Sequence, residues 1–141
     1  MDCKNLPDDP AGTPETIQTQ PLRVLAAVTD LFFVSKISAA ARQAGCPIEY
    51  FRDPEKLRQA AAGEPCFVIV DLNVTGFDPV ALIANLKASP TTRQATVIAY
   101  LSHVQHELKR EAEKAGADLV LPRSAFSQNL LEILRQRSCH L

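Results

Sequence analysis

Short apolar runs alternate along this chain with stripes of apolar residues at helical spacing. The clearest run is Cys-Phe-Val-Ile-Val-Asp-Leu at residues 66–72, which is apolar on both alternations. A strand with that pattern is buried on both faces, as in a parallel sheet that is covered by helices. The pattern predicts five strands, at residues 23–28, 48–52, 66–72, 96–101 and 118–121.

Five helices are predicted to follow these strands. Asp53 and Asp78 each precede a proline, an arrangement typical of a helix start, because Asp caps the first turn and Pro fits the first helical position. Glycines follow the first and fourth apolar stripes, and glycine readily ends a helix. The predicted stripes and stops are Ile37, Ala40, Ala41, Ala44 and Gly45; Leu82, Ile83 and Leu86; Leu108, Ala112, Ala115 and Gly116; and Leu130, Ile133 and Leu134.

The predicted order of elements is therefore βαβαβαβαβα. Alternation with short connections predicts a parallel sheet with right-handed crossovers and helices on both faces. Five strands in this order indicate a flavodoxin-like (βα)5 α/β fold, a doubly wound sandwich with strand order 2-1-3-4-5. The fold is expected to span residues 21–138 of the 141, after a flexible leader at residues 1–20 that is rich in Pro, Asp, Thr and Gln, and before a tail at residues 139–141.

Charge and composition narrow the range of partners. The chain has 15 basic and 16 acidic side chains and a net charge of −1, so neither nucleic acid nor an anionic membrane is an expected partner. Its apolar stretches are too short to span a bilayer, and the first residues lack the apolar core of a secretory signal. The four cysteines are scattered and form no CxxC pair, which favours a reduced, cytoplasmic chain.

Polar side chains follow several of the predicted strands. Asp30 follows the first strand, Asp71 and Asn73 lie at the end of the third, Ser102 follows the fourth and Arg123 the fifth. Because the carboxyl ends of parallel strands share one edge, where ligands bind in open α/β sheets, these groups are expected to gather there. Two carboxylates, a hydroxyl and a guanidinium could hold a hard cation and an anion together, as phosphoryl chemistry requires.

Two segments of the chain carry a resemblance to a known family. Val-Ile-Val-Asp-Leu-Asn-Val-Thr-Gly-Phe-Asp at residues 68–78 resembles the segment around the phospho-accepting aspartate of response-regulator receiver domains. Ala-Gly-Ala-Asp at residues 115–118 resembles the AGAD that precedes the last receiver strand. The resemblance covers about residues 22–137, and the order and spacing of the motifs make it more specific than either motif alone.

The resemblance implies a role for each polar residue. Asp71 takes the position of the phospho-acceptor, and Asp30, Asp71 and the backbone carbonyl of Asn73 take metal-binding positions. Arg123 takes the position of a lysine, and Ser102 is the candidate hydroxyl beside it. Mg²⁺ is then the implied ion, and a sensor histidine kinase or another signalling protein the implied partner. A homodimer would pair through the face made by the fourth helix, fifth strand and fifth helix.

The sequence also departs from the receiver pattern. Thr29 stands where the first of two metal-binding acids is usual. Leu101 takes the place of the Thr or Ser that ends strand four, with Ser102 one residue late, and Ser124 takes the place of a proline. The acceptor is kept while one metal-binding acid and the strand-four hydroxyl are lost. These departures indicate an atypical receiver, a pseudo-receiver, with weak Mg²⁺ binding and weak or lost phosphorylation.

Two other functions compete with this interpretation. A nucleotide- or flavin-binding enzyme on the same fold would need glycines for the approach of phosphate, but Thr-Asp-Leu-Phe-Phe-Val follows the first strand. Walker, dinucleotide and nucleophile-elbow motifs are also lacking, so an enzyme is not expected. A phosphorylation-independent protein-interaction module remains as the alternative, and Thr29 is its main support.

Overall fold

Five parallel strands form one sheet with helices on both faces in the computed structural model, which describes residues 23–102 and 105–139. The strands are β1 (Arg23–Ala27), β2 (Ile48–Tyr50), β3 (Cys66–Asp71), β4 (Thr96–Leu101) and β5 (Leu119–Pro122). The helices are α1 (Leu31–Ala44), α2 (Pro54–Ala61), α3 (Pro79–Ala88), α4 (His106–Ala115) and α5 (Arg123–Cys139).

The strand order in the sheet is β2-β1-β3-β4-β5, with every neighbouring pair parallel. This confirms the predicted flavodoxin-like fold with order 2-1-3-4-5. Strand β3 lies at the centre, and all six of its residues are buried. Its apolar run on both alternations follows from that position, because helices cover both of its faces.

Alternate residues of the strands feed two separate clusters of buried side chains. One cluster lies between the sheet and helices α1 and α5, and the other lies between the sheet and helices α2, α3 and α4. Phe67 and Ile69 of β3 face the α1/α5 layer, whereas Val68 and Val70 face the opposite layer. The alternation matters for the site, because it decides towards which helices the last side chain of each strand points.

The helix ends follow the chemistry of their capping residues. The Asp53 carboxylate accepts a hydrogen bond from the backbone N–H of Glu55, and the Asp78 carboxylate accepts from the first turn of α3. Gly116 ends α4 with a φ of 116°, in the left-handed region that favours glycine. A Cβ at Gly116 would lie 2.6 Å from Cγ of Lys87, so the stem of that lysine also requires glycine here.

Several element boundaries differ from the predicted ones. The fifth strand begins at Leu119 rather than Asp118. The Asp118 carboxylate accepts hydrogen bonds from the Val97 N–H at 2.8 Å and from Lys87 Nζ at 3.0 Å. The second strand ends at Tyr50, two residues earlier than predicted. Helix α5 continues to Cys139, into the predicted tail, while the predicted leader at residues 1–20 lies outside the described residues.

Among the described residues, no helix is long and apolar enough to cross a membrane.

Candidate functional site

Asp71 is the last residue of the central strand, at the carboxyl edge of the sheet. It is one of the few buried polar residues, with 4% of its surface exposed. Its carboxylate oxygen Oδ1 accepts a hydrogen bond from the backbone N–H of Asn73 at 2.8 Å, and its own carbonyl accepts one from the N–H of Val74 at 3.0 Å. The turn after β3 therefore fixes the carboxylate on the sheet edge.

The surroundings of Asp71 act on its pKa in opposing directions. Burial raises the pKa of the Asp71 carboxyl above its ordinary value, and the Asp30 carboxylate adds to this rise. The Asn73 N–H and the Arg123 guanidinium act against it, because both favour the ionised form. Asp71 is thus a weakly hydrated carboxylate that lies within electrostatic range of both Asp30 and Arg123.

Asp30 serves as the N-cap of helix α1. Its Oδ1 accepts hydrogen bonds from the backbone N–H groups of Phe32, at 2.9 Å, and Phe33, at 3.4 Å. The side chain is exposed, and the half-buried Thr29 precedes it. A residue with an implied metal-binding role therefore also satisfies the first turn of its own helix, in the same way as Asp53 and Asp78 do at theirs.

Arg123 is the first residue of α5 and directly follows the last strand. Its guanidinium carbon lies 5.1 Å from the centre of the Phe33 ring, a cation–π contact that joins the start of α5 to the start of α1. The Nε atom of Arg123 is buried without a hydrogen-bond partner among the described residues. The structure thus brings Asp30, Asp71 and Arg123 to one edge.

Asn73 makes contacts that the sequence did not predict. Its side-chain Oδ1 accepts a hydrogen bond from the backbone N–H of Ser102 at 2.7 Å, and its Nδ2 donates one to Oε1 of Gln105 at 3.2 Å. We call these two contacts the Asn73 bridge. The bridge joins the loop after β3 to the loop after β4, so the two loops beside Asp71 are held together by one amide side chain.

Strand β4 ends on a buried apolar residue, and the serine that follows it is exposed. Leu101 is 3% exposed and packs in the α2/α3/α4 cluster with Val97 and Ala99. Ser102, which follows the strand, is exposed. Strand four therefore ends on an apolar side chain that packs on the face opposite to Phe67 and Ile69.

Sequence reasoning missed Tyr100, which is paired in register with Asp71 across strands β3 and β4. Paired residues of adjacent strands point to the same face, so this tyrosine lies in the α1/α5 layer, on the strand next to Asp71. Its ring stacks against both Phe33 and Phe126, with centroid separations of 5.0 and 4.6 Å, and these two rings are themselves 6.3 Å apart. The position of Tyr100 in the sequence could have indicated this pairing, because it is one residue from the end of the strand that neighbours Asp71.

A pocket of about 420 Å³ opens beside this site, between the loops that follow β1 and β2. Its lining includes Thr29, Tyr50, Arg52 and Lys56, but not Asp71. The pocket therefore adjoins the acidic site at Thr29 but is lined by neither Asp30 nor Asp71.

The oxygen ligands at the edge suit a hard cation. The described residues contain no group of three or more His, Cys, Asp or Glu side chains that could hold a metal ion. The carboxylates of Asp30 and Asp71 and the carbonyl of Asn73 are nevertheless all oxygen donors, and Mg²⁺ commonly takes one or two carboxylates and completes its shell with water and phosphate oxygens. The residues present therefore fit Mg²⁺, with few ligands from the protein and the others from water or phosphate.

Comparison with solved structures finds this fold in the receiver domains of response regulators. The chain has a TM-score of 0.70 and 18% identity to the Vibrio cholerae chemotaxis protein CheY4, covering 83% of this chain and 98% of that one. The chain is equally similar to a receiver domain of a Pseudomonas aeruginosa sensor histidine kinase, which has magnesium coordinated in its active-site cleft. The TM-score is 0.70 and the identity 16%, covering 83% of this chain and 97% of that one.

A phosphorylated cyanobacterial phytochrome response regulator is also similar, with a TM-score of 0.68 and 18% identity over 82% of this chain and 90% of that one. No protein-family model and no curated protein sequence matches the chain. At these identities the similarity establishes the shared receiver fold.

Proposed function

We propose that this chain is a receiver in phosphorelay signal transduction and that Asp71 accepts the phosphoryl group. The observation that carries the proposal is the position of a buried carboxylate at the end of the central strand, within electrostatic range of one cation, Arg123, and one further carboxylate, Asp30. Receiver domains with this fold occur in phosphorylated and magnesium-bound forms. A sensor histidine kinase or another signalling protein is the corresponding partner, in the cytoplasm.

The chemistry needs only one nucleophile. An oxygen of the Asp71 carboxylate attacks the phosphorus of the donor, an acyl phosphate or a phosphohistidine, and the bond from phosphorus to the donor breaks. The donor leaves with the electron pair of that bond, as acetate in the case of acetyl phosphate. Arg123 supplies positive charge beside the three phosphoryl oxygens. The chain is thus a phosphoryl acceptor and not an enzyme that acts on a separate substrate.

Mg²⁺ binding is proposed to be weak and the transfer slow. Asp30, Asp71 and the Asn73 carbonyl would hold the ion, which would neutralise charge on the phosphoryl oxygens. Thr29 supplies a neutral hydroxyl in the place where a second strand-one carboxylate would attract the ion. One unit charge at about 4 Å contributes about 4 kcal/mol at an effective dielectric near 20, before desolvation reduces it. A net loss of about 1.4 kcal/mol would weaken binding tenfold.

The test is the intact mass of the protein after incubation with acetyl phosphate and Mg²⁺. The wild-type chain is expected to gain the mass of one phosphoryl group slowly, and Asp71→Asn is expected to gain none. Asp78→Asn is the matched control: it removes a carboxyl group near the same strand end, while asparagine keeps the helix cap. Equal labelling of wild type and Asp71→Asn would contradict Asp71 as the acceptor.

A phosphorylation-independent interaction module is the second candidate. Leu31 and Phe32, at the start of α1 beside Asp30, are 77% and 66% exposed, and they place apolar surface at the functional edge. Leu101 also replaces the hydroxyl that receivers use to respond to the phosphoryl group. On this candidate, amide resonances beyond the site stay unchanged when beryllofluoride and Mg²⁺ are added. Shifts that extend along α4 would favour the phosphorelay receiver.

Self-association is proposed to use the face formed by α4, β5 and α5, in a two-fold arrangement. Leu119 of β5 is 37% exposed, which gives this face an apolar element. Leu119→Lys is expected to weaken pairing in sedimentation velocity experiments. A wild-type chain that sediments as a monomer at high concentration, with and without beryllofluoride, would contradict this proposal.

A further inference from the structure

Tyr100 is the largest fully buried side chain among the described residues, with 0% of its surface exposed. Its ring lies in a stack of three aromatic residues, with interplanar angles of 25° to Phe33 and 18° to Phe126. Phe33 also carries the guanidinium of Arg123 over its ring. The stack therefore connects β4 to the starts of both α1 and α5, directly beneath the edge that holds Asp71.

The hydroxyl of Tyr100 is buried without a hydrogen-bond partner among the described residues, and so is the Nε–H of Arg123. A buried polar group without a partner destabilises a fold, because it loses its contacts with water and gains none from the protein. A phenylalanine would fill the same space without that loss. The Tyr100 hydroxyl and the Arg123 Nε–H, both near the buried Asp71 carboxylate, could instead donate hydrogen bonds to an anion that has several acceptor oxygens.

The position of Tyr100 relates its hydroxyl to Asp71. The two residues are paired in register, so their side chains lie on the same face of adjacent strands. Burial raises the pKa of the Tyr100 hydroxyl far above its ordinary value, and the Asp71 carboxylate raises it further, while Arg123 acts in the opposite direction. The hydroxyl therefore keeps its proton and is available as a donor.

We propose that the Tyr100 hydroxyl and the Arg123 guanidinium bind the phosphoryl group carried by Asp71, and that Tyr100 replaces the hydroxyl that is missing at Leu101. This inference rests on the proposed function of Asp71 as the acceptor. Phosphorylation adds three strong acceptor oxygens and a charge of about −1.5 to −2 next to the tyrosine. The hydroxyl donates a hydrogen bond to one of these oxygens, and its proton is not transferred.

The experiment measures the affinity of the full chain for beryllofluoride, with Mg²⁺ present, by fluorine NMR. The variant is Tyr100→Phe, which keeps the aromatic stack and removes only the hydroxyl. Its affinity is expected to fall by about 10- to 100-fold, the effect of one hydrogen bond to a charged acceptor. Tyr50→Phe is the matched control, because the Tyr50 hydroxyl bonds to the carbonyl of Val34 at 2.9 Å and to the Ser38 hydroxyl at 2.6 Å. Tyr50→Phe should bind as the wild type does.

Thermal unfolding without beryllofluoride is the second measurement, and here Tyr100→Phe is expected to gain stability although it loses affinity. Tyr100→Phe should melt at a higher temperature than the wild type, since it removes an unpaired buried hydroxyl, whereas Tyr50→Phe should melt at a lower one. A purely structural role for Tyr100 would lower both stability and affinity, and that result would overturn the inference.

The two proposals fail in different ways. Equal binding by wild type and Tyr100→Phe would overturn the inference about Tyr100 and leave Asp71 as the acceptor. A wild-type chain that neither binds beryllofluoride nor gains mass from acetyl phosphate would overturn the proposed function, and the role of Tyr100 with it.

Discussion

The Asn73 bridge can be removed by a single substitution, Asn73→Ala. The change deletes the acceptor for the Ser102 N–H and the donor to Gln105, at 2.7 and 3.2 Å. It leaves the backbone N–H of Asn73, which bonds to the Asp71 carboxylate, in place. The variant therefore tests the contact between the two loops separately from the contact that holds the Asp71 carboxylate.

The expected loss follows from the exposure of these contacts. A hydrogen bond within a protein contributes about 0.5–1.5 kcal/mol net, and the Ser102 N–H is exposed, so water replaces part of its lost bond. The two contacts together should contribute about 1–2 kcal/mol to the free energy of unfolding. For a domain of this size that corresponds to a fall of about 4–8 °C in melting temperature.

Two measurements check this expectation: thermal unfolding, and hydrogen exchange at single amides by NMR. The Ser102 amide should exchange at least about tenfold faster in Asn73→Ala, because the Asn73 oxygen that accepts its hydrogen bond is removed. Asn129→Ala is the matched control; it removes one exposed hydrogen bond, from Asn129 Nδ2 to the carbonyl of Ala125 at 2.8 Å, within α5. An unchanged exchange rate at Ser102 in Asn73→Ala would show that the bridge does not hold the loops in solution.

Three further substitutions have definite expected outcomes. Thr29→Asp should bind Mg²⁺ about tenfold more tightly than the wild type in a titration followed by amide shifts. If the wild type binds Mg²⁺ tightly and Thr29→Asp binds no better, then Thr29 does not weaken the site. Asp118→Ala should lose about 1.5–3 kcal/mol in denaturant unfolding, since it removes the acceptor for the Val97 N–H and for Lys87, while Asp118→Asn should lose less. Gly116→Ala should lose at least about 1 kcal/mol through its left-handed φ and the Lys87 stem, and a melting temperature equal to that of the wild type would contradict this.

The sequence was enough to predict the fold because each element carried its own signal. The run at residues 66–72 identified the central strand, and Asp53 and Asp78 identified two helix starts, since the preference of aspartate for the N-cap is a local property. The same rule applies to Asp30, whose capping of α1 was not predicted because no proline follows it. Helix starts were therefore predicted where aspartate was followed by proline, and the start at Asp30 was not.

The parts of the site that were not predicted depend on residues distant in sequence. The Asn73 amide meets Ser102, 29 residues later, and Gln105, 32 residues later. Which residue of β4 lies beside Asp71 is set by the register of two parallel strands, and a single sequence does not specify that register. Tyr100 was accordingly overlooked as an ordinary strand residue until its partner across the sheet was known.

Both edges of the sheet are poorly suited to recruiting another strand. On one side β2 offers only three residues, and on the other β5 offers four and ends at Pro122, which has no N–H to donate. Short edges with few available donors resist edge-to-edge pairing, the route by which sheets aggregate or capture extended peptides. A partner that adds a strand to this molecule would gain few backbone hydrogen bonds. A partner would therefore contact mainly side chains presented by helices and loops, which can differ between two proteins that share this backbone.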